Sequence, residues 1–78
     1  MPDKRLLSLS SKDVKKILKE NNFILSRQKG SHQQFVGNVK GKKRRVTVIV
    51  NQKHFAPRTL KSMISQSGLS EGEWLESI

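Results

Sequence analysis

Residues 23–50 read FILSRQKGSHQQFVGNVKGKKRRVTVIV, and the fold turns on this stretch. Its last segment, Arg45-Val46-Thr47-Val48-Ile49-Val50, is β-branched at five positions of six and is the clearest strand of the chain. Side chains alternate across a strand, so Val46, Val48 and Val50 share one face. Upstream, His32 or Gln33 to Val39 reads as a second strand. Alternation there places Phe35 and Val39 on one face and His32, Gln34 and Val36 on the other. Phe23 to about Gln28 makes a first strand, and Gly30-Ser31 offers a tight turn between the two. Lys40-Gly41-Lys42-Lys43 reads as the second hairpin loop. The covered face of such a sheet is the one bearing Phe35 and the valines, which leaves His32 open to solvent.

Working outward, both flanks read as helices. Ser10 can cap a helix with Asp13 three residues on, as in a capping box, and Leu9 can pack on Val14. Val14, Ile17 and Leu18 then form an apolar stripe, with Lys12, Lys15, Lys16 and Lys19 on the wet face. Asn21-Asn22 stops this helix, since Asn tolerates the left-handed backbone required there. On the other flank Pro57 suits a first helical turn, Leu60, Met63 and Ile64 make the buried stripe, and Gly68 ends it. Ser70 and Glu73 spell another capping box, for a short acidic C-terminal helix over residues 70–78 in which Trp74 reads as core. The expectation is a single α+β domain over residues 1–78: helix, three antiparallel strands, helix and a short last helix, with residues 1–8 a flexible N-terminus. Both long helices lie on one face of the sheet.

Charge is the dominant bulk property. Sixteen Lys and Arg oppose six acids, for a net +10. All sixteen cations but only three of the acids fall within residues 1–69, a net +13 there. A field of that size attracts phosphate backbones and steers association with nucleic acid. With no cysteine, disulfides and thiolate metal sites are excluded. No segment approaches the ~20 apolar residues needed to span a bilayer, and the N-terminus is not a signal peptide. A cytoplasmic protein without membrane association is expected.

The catalytic inventory reduces to His32, His54 and the cations. The two histidines are far apart in sequence and the acids do not cluster outside the tail, so no metal constellation appears. No phosphate-binding glycine loop, nucleophile elbow or carboxylate pair is present, and no cofactor is implied. RNA cleavage runs on such an inventory, because the attacking ribose 2′-OH belongs to the substrate. The protein supplies proton transfer, for which histidine suits neutral pH, and cations for the developing phosphorane charge. Arg27 and Lys29, beside His32, can stabilise phosphate. Lys42, Lys43, Arg44 and Arg45 read as a backbone contact near a hairpin tip.

The stretch Ser26-Arg27-Gln28-Lys29-Gly30-Ser31-His32-Gln33-Gln34-Phe35 resembles the signature of HicA toxins, in which Arg-x-x-Gly-Ser-His precedes the second strand. Arg45–Val50 is similar to that family's third strand, and Ala56–Ser70 to the helix that follows, down to the closing Gly68-Leu69-Ser70. The resemblance covers about residues 10–76. It implies a double-stranded-RNA-binding-domain-like α-β-β-β-α fold, ribosome-independent cleavage of mRNA, and a cognate HicB-type antitoxin; the residue inventory adds that the cleavage is metal-independent. The family's catalytic histidine carries over onto His32 alone, and Ser31 in the same motif joins Arg27 and Lys29 as an RNA contact. Two positions depart from the pattern: Asn51 stands where many members have His after the third strand, and Ala56-Pro57-Arg58-Thr59-Leu60 replaces Lys-Pro-Gly-Thr-Leu. His54 matches no family motif and reads as a loop surface residue. The competing reading is a non-catalytic double-stranded RNA or DNA binding module, which shares the fold and the charge but has no use for His32.

Overall fold

The computed structural model describes residues 3–78, arranged as α1 (Lys4–Leu7), α2 (Ser11–Glu20), β1 (Ile24–Lys29), β2 (His32–Val39), β3 (Lys42–Ile49), α3 (Pro57–Ser67) and α4 (Glu71–Glu76). From α2 onward this is the expected α-β-β-β-α fold with a short last helix. The strands form one antiparallel sheet in the order β1-β2-β3. Phe35 and Val46 face each other across β2 and β3, both buried, and Val48 lies buried two residues further along β3. They join Val14, Ile17 and Leu18 of α2 and Leu60, Met63 and Ile64 of α3 in one core, with Phe23, Phe55 and Trp74 closing its margins.

Local chemistry fixes the helix ends. The Ser10 hydroxyl accepts from the Asp13 amide at 3.2 Å, and the Asp13 carboxylate accepts from the Ser10 amide at 3.0 Å. Ser70 and Glu73 repeat the exchange at 3.1 and 3.0 Å. Each pair satisfies amides that the first helical turn leaves without partners. Helix α2 stops at Asn21, with Asn22 at φ 69°, and α3 stops at Gly68, with φ 74°.

Three features differ from the sequence reading. Residues 1–8 were expected as a flexible N-terminus, yet Lys4–Leu7 form a helical turn capped by the Asp3 side chain, and Leu6 is fully buried. This turn packs against α3 and α4. Met1 and Pro2 lie outside the described residues. The second hairpin loop shrinks from four residues to the two-residue turn Lys40-Gly41, with φ of 53° and 80°. Two positive φ values in succession are the type I′ geometry that matches the twist of the flanking strands. Lys42, Lys43 and Arg44 are therefore strand residues. Finally, the β1–β2 register shifts between Leu25 and Arg27, a β-bulge at Ser26.

Candidate nucleic-acid interface

The bulge decides which side chains meet. Leu25 pairs with Phe35, and an unbroken ladder would put Arg27 opposite Gln33, on the helix-covered face. The extra residue instead sets Arg27 opposite Gln34, Gln28 opposite Gln33 and Lys29 opposite His32. Paired residues share a face, so Arg27, Lys29 and His32 emerge together on the open side of the sheet. On the other flank of β2, His32 pairs with Ile49 and Val36 with Arg45. His32, Arg27, Lys29 and Arg45 are all exposed.

The backbone beneath His32 is pinned from both sides. Gly30, at φ 58°, supplies the positive φ that the Gly30-Ser31 turn needs at its first central residue. The Gln28 side-chain amide donates to the Gly30 carbonyl at 3.2 Å, and the Gln33 amide donates to the Gln28 side-chain oxygen at 3.0 Å. Just past β3, the Val50 amide donates to the Ser31 carbonyl at 2.8 Å. Ser31 itself is exposed at the turn. Sequence reasoning passed over Gln28 and Gln33. Only their cross-strand pairing, which depends on the bulge, reveals that they brace the turn.

The basic run at residues 42–45 does not act as one patch. Lys43 pairs with Asn38 and Arg45 with Val36, on the open face. Lys42 pairs with Val39 and Arg44 with Gly37, on the covered side. The Arg44 side chain lies over the end of α3, where a Cβ built at Gly68 would come within 2.6 Å of its Nε, and that Nε is buried with no hydrogen-bond partner. His54 is exposed in the loop between β3 and α3, and Asn51 follows β3 at φ 61°.

The strands contain no acidic residue, so nothing on the open face opposes its cations. The acids with displaced titration serve helix ends. The Ser10 amide, followed by the Ser10 hydroxyl, holds the Asp13 carboxyl below the usual range, and the Ser70 amide and hydroxyl do the same for Glu73. Among the described residues no three His, Cys, Asp or Glu side chains gather where they could hold a metal ion. No described helix is long and apolar enough to cross a membrane. Phe23, Phe35, Phe55 and Trp74 are all buried, so the open face offers a base no aromatic ring besides the His32 imidazole.

This geometry meets an independent finding. The family model described as HicA toxin of bacterial toxin-antitoxin matches residues 11–69. The chain belongs to the HicA toxin family. The matched span runs from the first residue of α2 to just past α3, so it holds the whole sheet and His32, while α1 and α4 lie outside it. As a HicA toxin the protein is the toxic half of a toxin–antitoxin system, which implies an antitoxin partner, and the family is generally one of RNA-cleaving toxins. No individual curated protein and no solved structure matches the chain.

Proposed function

We propose that this HicA toxin is a cytoplasmic endoribonuclease that cleaves mRNA without a metal ion, that His32 is its general acid/base, and that a HicB-type antitoxin neutralises it. The observation that carries the reading is the position of His32, exposed on a backbone held rigid by its neighbours, with Lys29 directly opposite and Arg27 one open-face position away.

The chemistry follows from what the substrate brings. A neutral imidazole takes the proton of a ribose 2′-OH. The 2′ oxygen forms a bond to the adjacent phosphorus as the bond from phosphorus to the 5′ oxygen breaks; that oxygen takes a proton from water, and the imidazolium gives its own back to solvent. One fragment ends in a 2′,3′-cyclic phosphate and the other begins with a 5′-OH, with no change of oxidation state. Lys29 offsets the negative charge that builds on the phosphorane, and Arg27 adds to the same positive field from the next open-face position. Ser31 lies close enough in sequence to contact the same phosphate. Lys43 and Arg45 extend the cationic surface, whereas Lys42 and Arg44 leave the open face.

His32→Ala tests the reading. Loss of a group that transfers a proton in the rate-limiting step lowers the rate by about 10²–10⁴-fold, while RNA affinity, carried by Lys and Arg, stays within a few fold. The fold survives, since truncating an exposed side chain leaves no cavity. A folded His32→Ala protein that cuts RNA at the wild-type rate would overturn the role of His32, and a wild-type protein that binds RNA without cutting it would promote the binding-module reading.

A further inference from the structure

The open-face positions of β2 are residues 32, 34, 36 and 38, and each has one cation beside it on a neighbouring strand. Lys29 flanks His32 and Arg27 flanks Gln34, both from β1. Arg45 flanks Val36 and Lys43 flanks Asn38, both from β3. The cations thus form a ladder with one charge per rung, crossing from one edge strand to the other. Successive rungs are two residues apart, a repeat of ~7 Å. That is close to the spacing of consecutive phosphates along an extended single strand. The far rungs border a shallow groove lined by Ile24, Val36, Asn38 and Lys43.

We propose that this ladder is a track for single-stranded RNA, which runs along β2 with the scissile phosphate at His32 and the phosphates on one side of it at Arg27, Arg45 and Lys43 in turn. The proposal rests on the nuclease reading for the location of the cut but not for the track itself. Three observations favour a single strand over a duplex and phosphate over base recognition. The four charges follow the length of β2 at one per rung, two from each flank, so they offer one cation to each successive phosphate of a single backbone. No Phe or Trp side chain reaches the face, which leaves the His32 imidazole as its one aromatic ring and no row of stacking platforms for successive bases. In-line attack by a 2′-OH also needs a backbone free to rotate out of helical geometry, and a stacked duplex resists that rotation. The bulge at Ser26 is what makes the ladder regular, because without it Arg27 would face the helices.

The experiment uses 2′-O-methyl oligonucleotides, which bind but lack the attacking hydroxyl, so that binding is read apart from cleavage. Wild-type affinity rises as the oligonucleotide lengthens from two to eight nucleotides. Lys43→Ala/Arg45→Ala binds the dinucleotide as wild type does, but binds the octanucleotide roughly tenfold more weakly, with a salt slope smaller by about 1.4. Arg27→Ala/Lys29→Ala weakens both ligands. Lys4→Ala/Lys61→Ala removes the same net charge from the helical side and keeps the wild-type length dependence. The octanucleotide annealed to its complement binds more weakly than it does alone. The track is overturned if Lys43→Ala/Arg45→Ala keeps the wild-type length dependence, if the helical-side control loses as much, or if the duplex binds as tightly as the single strand. A wild-type protein that shows the length dependence yet fails to cut ordinary RNA would retain the track and lose the nuclease reading.

Discussion

The indole Nε1 of Trp74 donates a 3.1 Å hydrogen bond to the hydroxyl of Ser67, and both residues are fully buried. The same hydroxyl accepts from the Leu69 amide at 3.1 Å and donates to the Ile64 carbonyl at 2.6 Å. One serine oxygen thereby closes the end of α3, fixes the Gly68-Leu69 turn and anchors α4. Ser67→Ala leaves a buried indole N–H without an acceptor, at a cost of about 1–3 kcal/mol. For a domain of this size each kcal/mol lowers Tm by roughly 4–8 °C. Thermal unfolding of Ser67→Ala checks this, and an unchanged Tm would show that α4 does not depend on the bond.

Stability also falls in acid, for a reason the caps define. Asp13 and Glu73 have lowered pKa values in the folded protein because each carboxylate accepts from the backbone amide and hydroxyl of its capping serine. A lowered folded value contributes stability that is present above the unfolded value and is lost as pH falls through the folded one. The window therefore opens near the ordinary values of about 3.9 for Asp and 4.3 for Glu and extends below them. Tm should drop between pH 6 and pH 3, and the drop should be smaller in Asp13→Asn/Glu73→Gln. Asp13 is exposed and Glu73 only half-buried, so the difference is modest. Equal drops would mean that repulsion among the sixteen cations, and not the caps, governs acid stability.

How much of this was legible in the sequence varied with the range of the interaction responsible. Alternation in β2 and β3, the serine caps and the helix stops at Asn22 and Gly68 are local signals, and each appears where expected. Helix α1 has too few residues to show a period, and Leu6 is buried only because α3 and α4 come to it. The Lys40-Gly41 turn was hidden because type I′ turns favour Asn or Gly where this chain places Lys. The bulge at Ser26 is a matter of register between strands, so the company His32 keeps was beyond reading along one strand. Alternation did place His32 on the open face; its candidacy for catalysis came from the family motif. The split of the 42–45 run between two faces follows directly from the shorter turn.

If the nucleophile is the substrate's own 2′-OH and the proton carrier is an imidazole, the reaction needs no ion. Cleavage by the purified protein should persist in excess EDTA, with products ending in a 2′,3′-cyclic phosphate, and substrates with a 2′-deoxy sugar at the cut site should resist. Analysis of product ends by mass spectrometry checks all three. Products with a 5′-phosphate and a free 3′-OH, or activity abolished by EDTA and restored by Mg²⁺, would replace the imidazole mechanism with a metal-assisted one.

The antitoxin should act by covering this same face. Four exposed cations, Arg27, Lys29, Lys43 and Arg45, lie on strands that contain no acid, and the whole chain carries +10. A partner presenting carboxylates there gains from electrostatic steering and at the same time excludes a phosphate backbone. The complex should form more slowly and hold less tightly as salt is raised, to the extent that its charge pairs stay exposed. Arg45→Ala should weaken antitoxin and RNA together, because one surface serves both, whereas Lys61→Ala on α3 should leave both as they were. Hydrogen exchange of the free and bound toxin gives the footprint, with protection expected on β1, the Gly30-Ser31 turn and β3. Protection confined to α2 and α3, with His32 still open to solvent, would mean that the antitoxin neutralises the toxin without occluding its site.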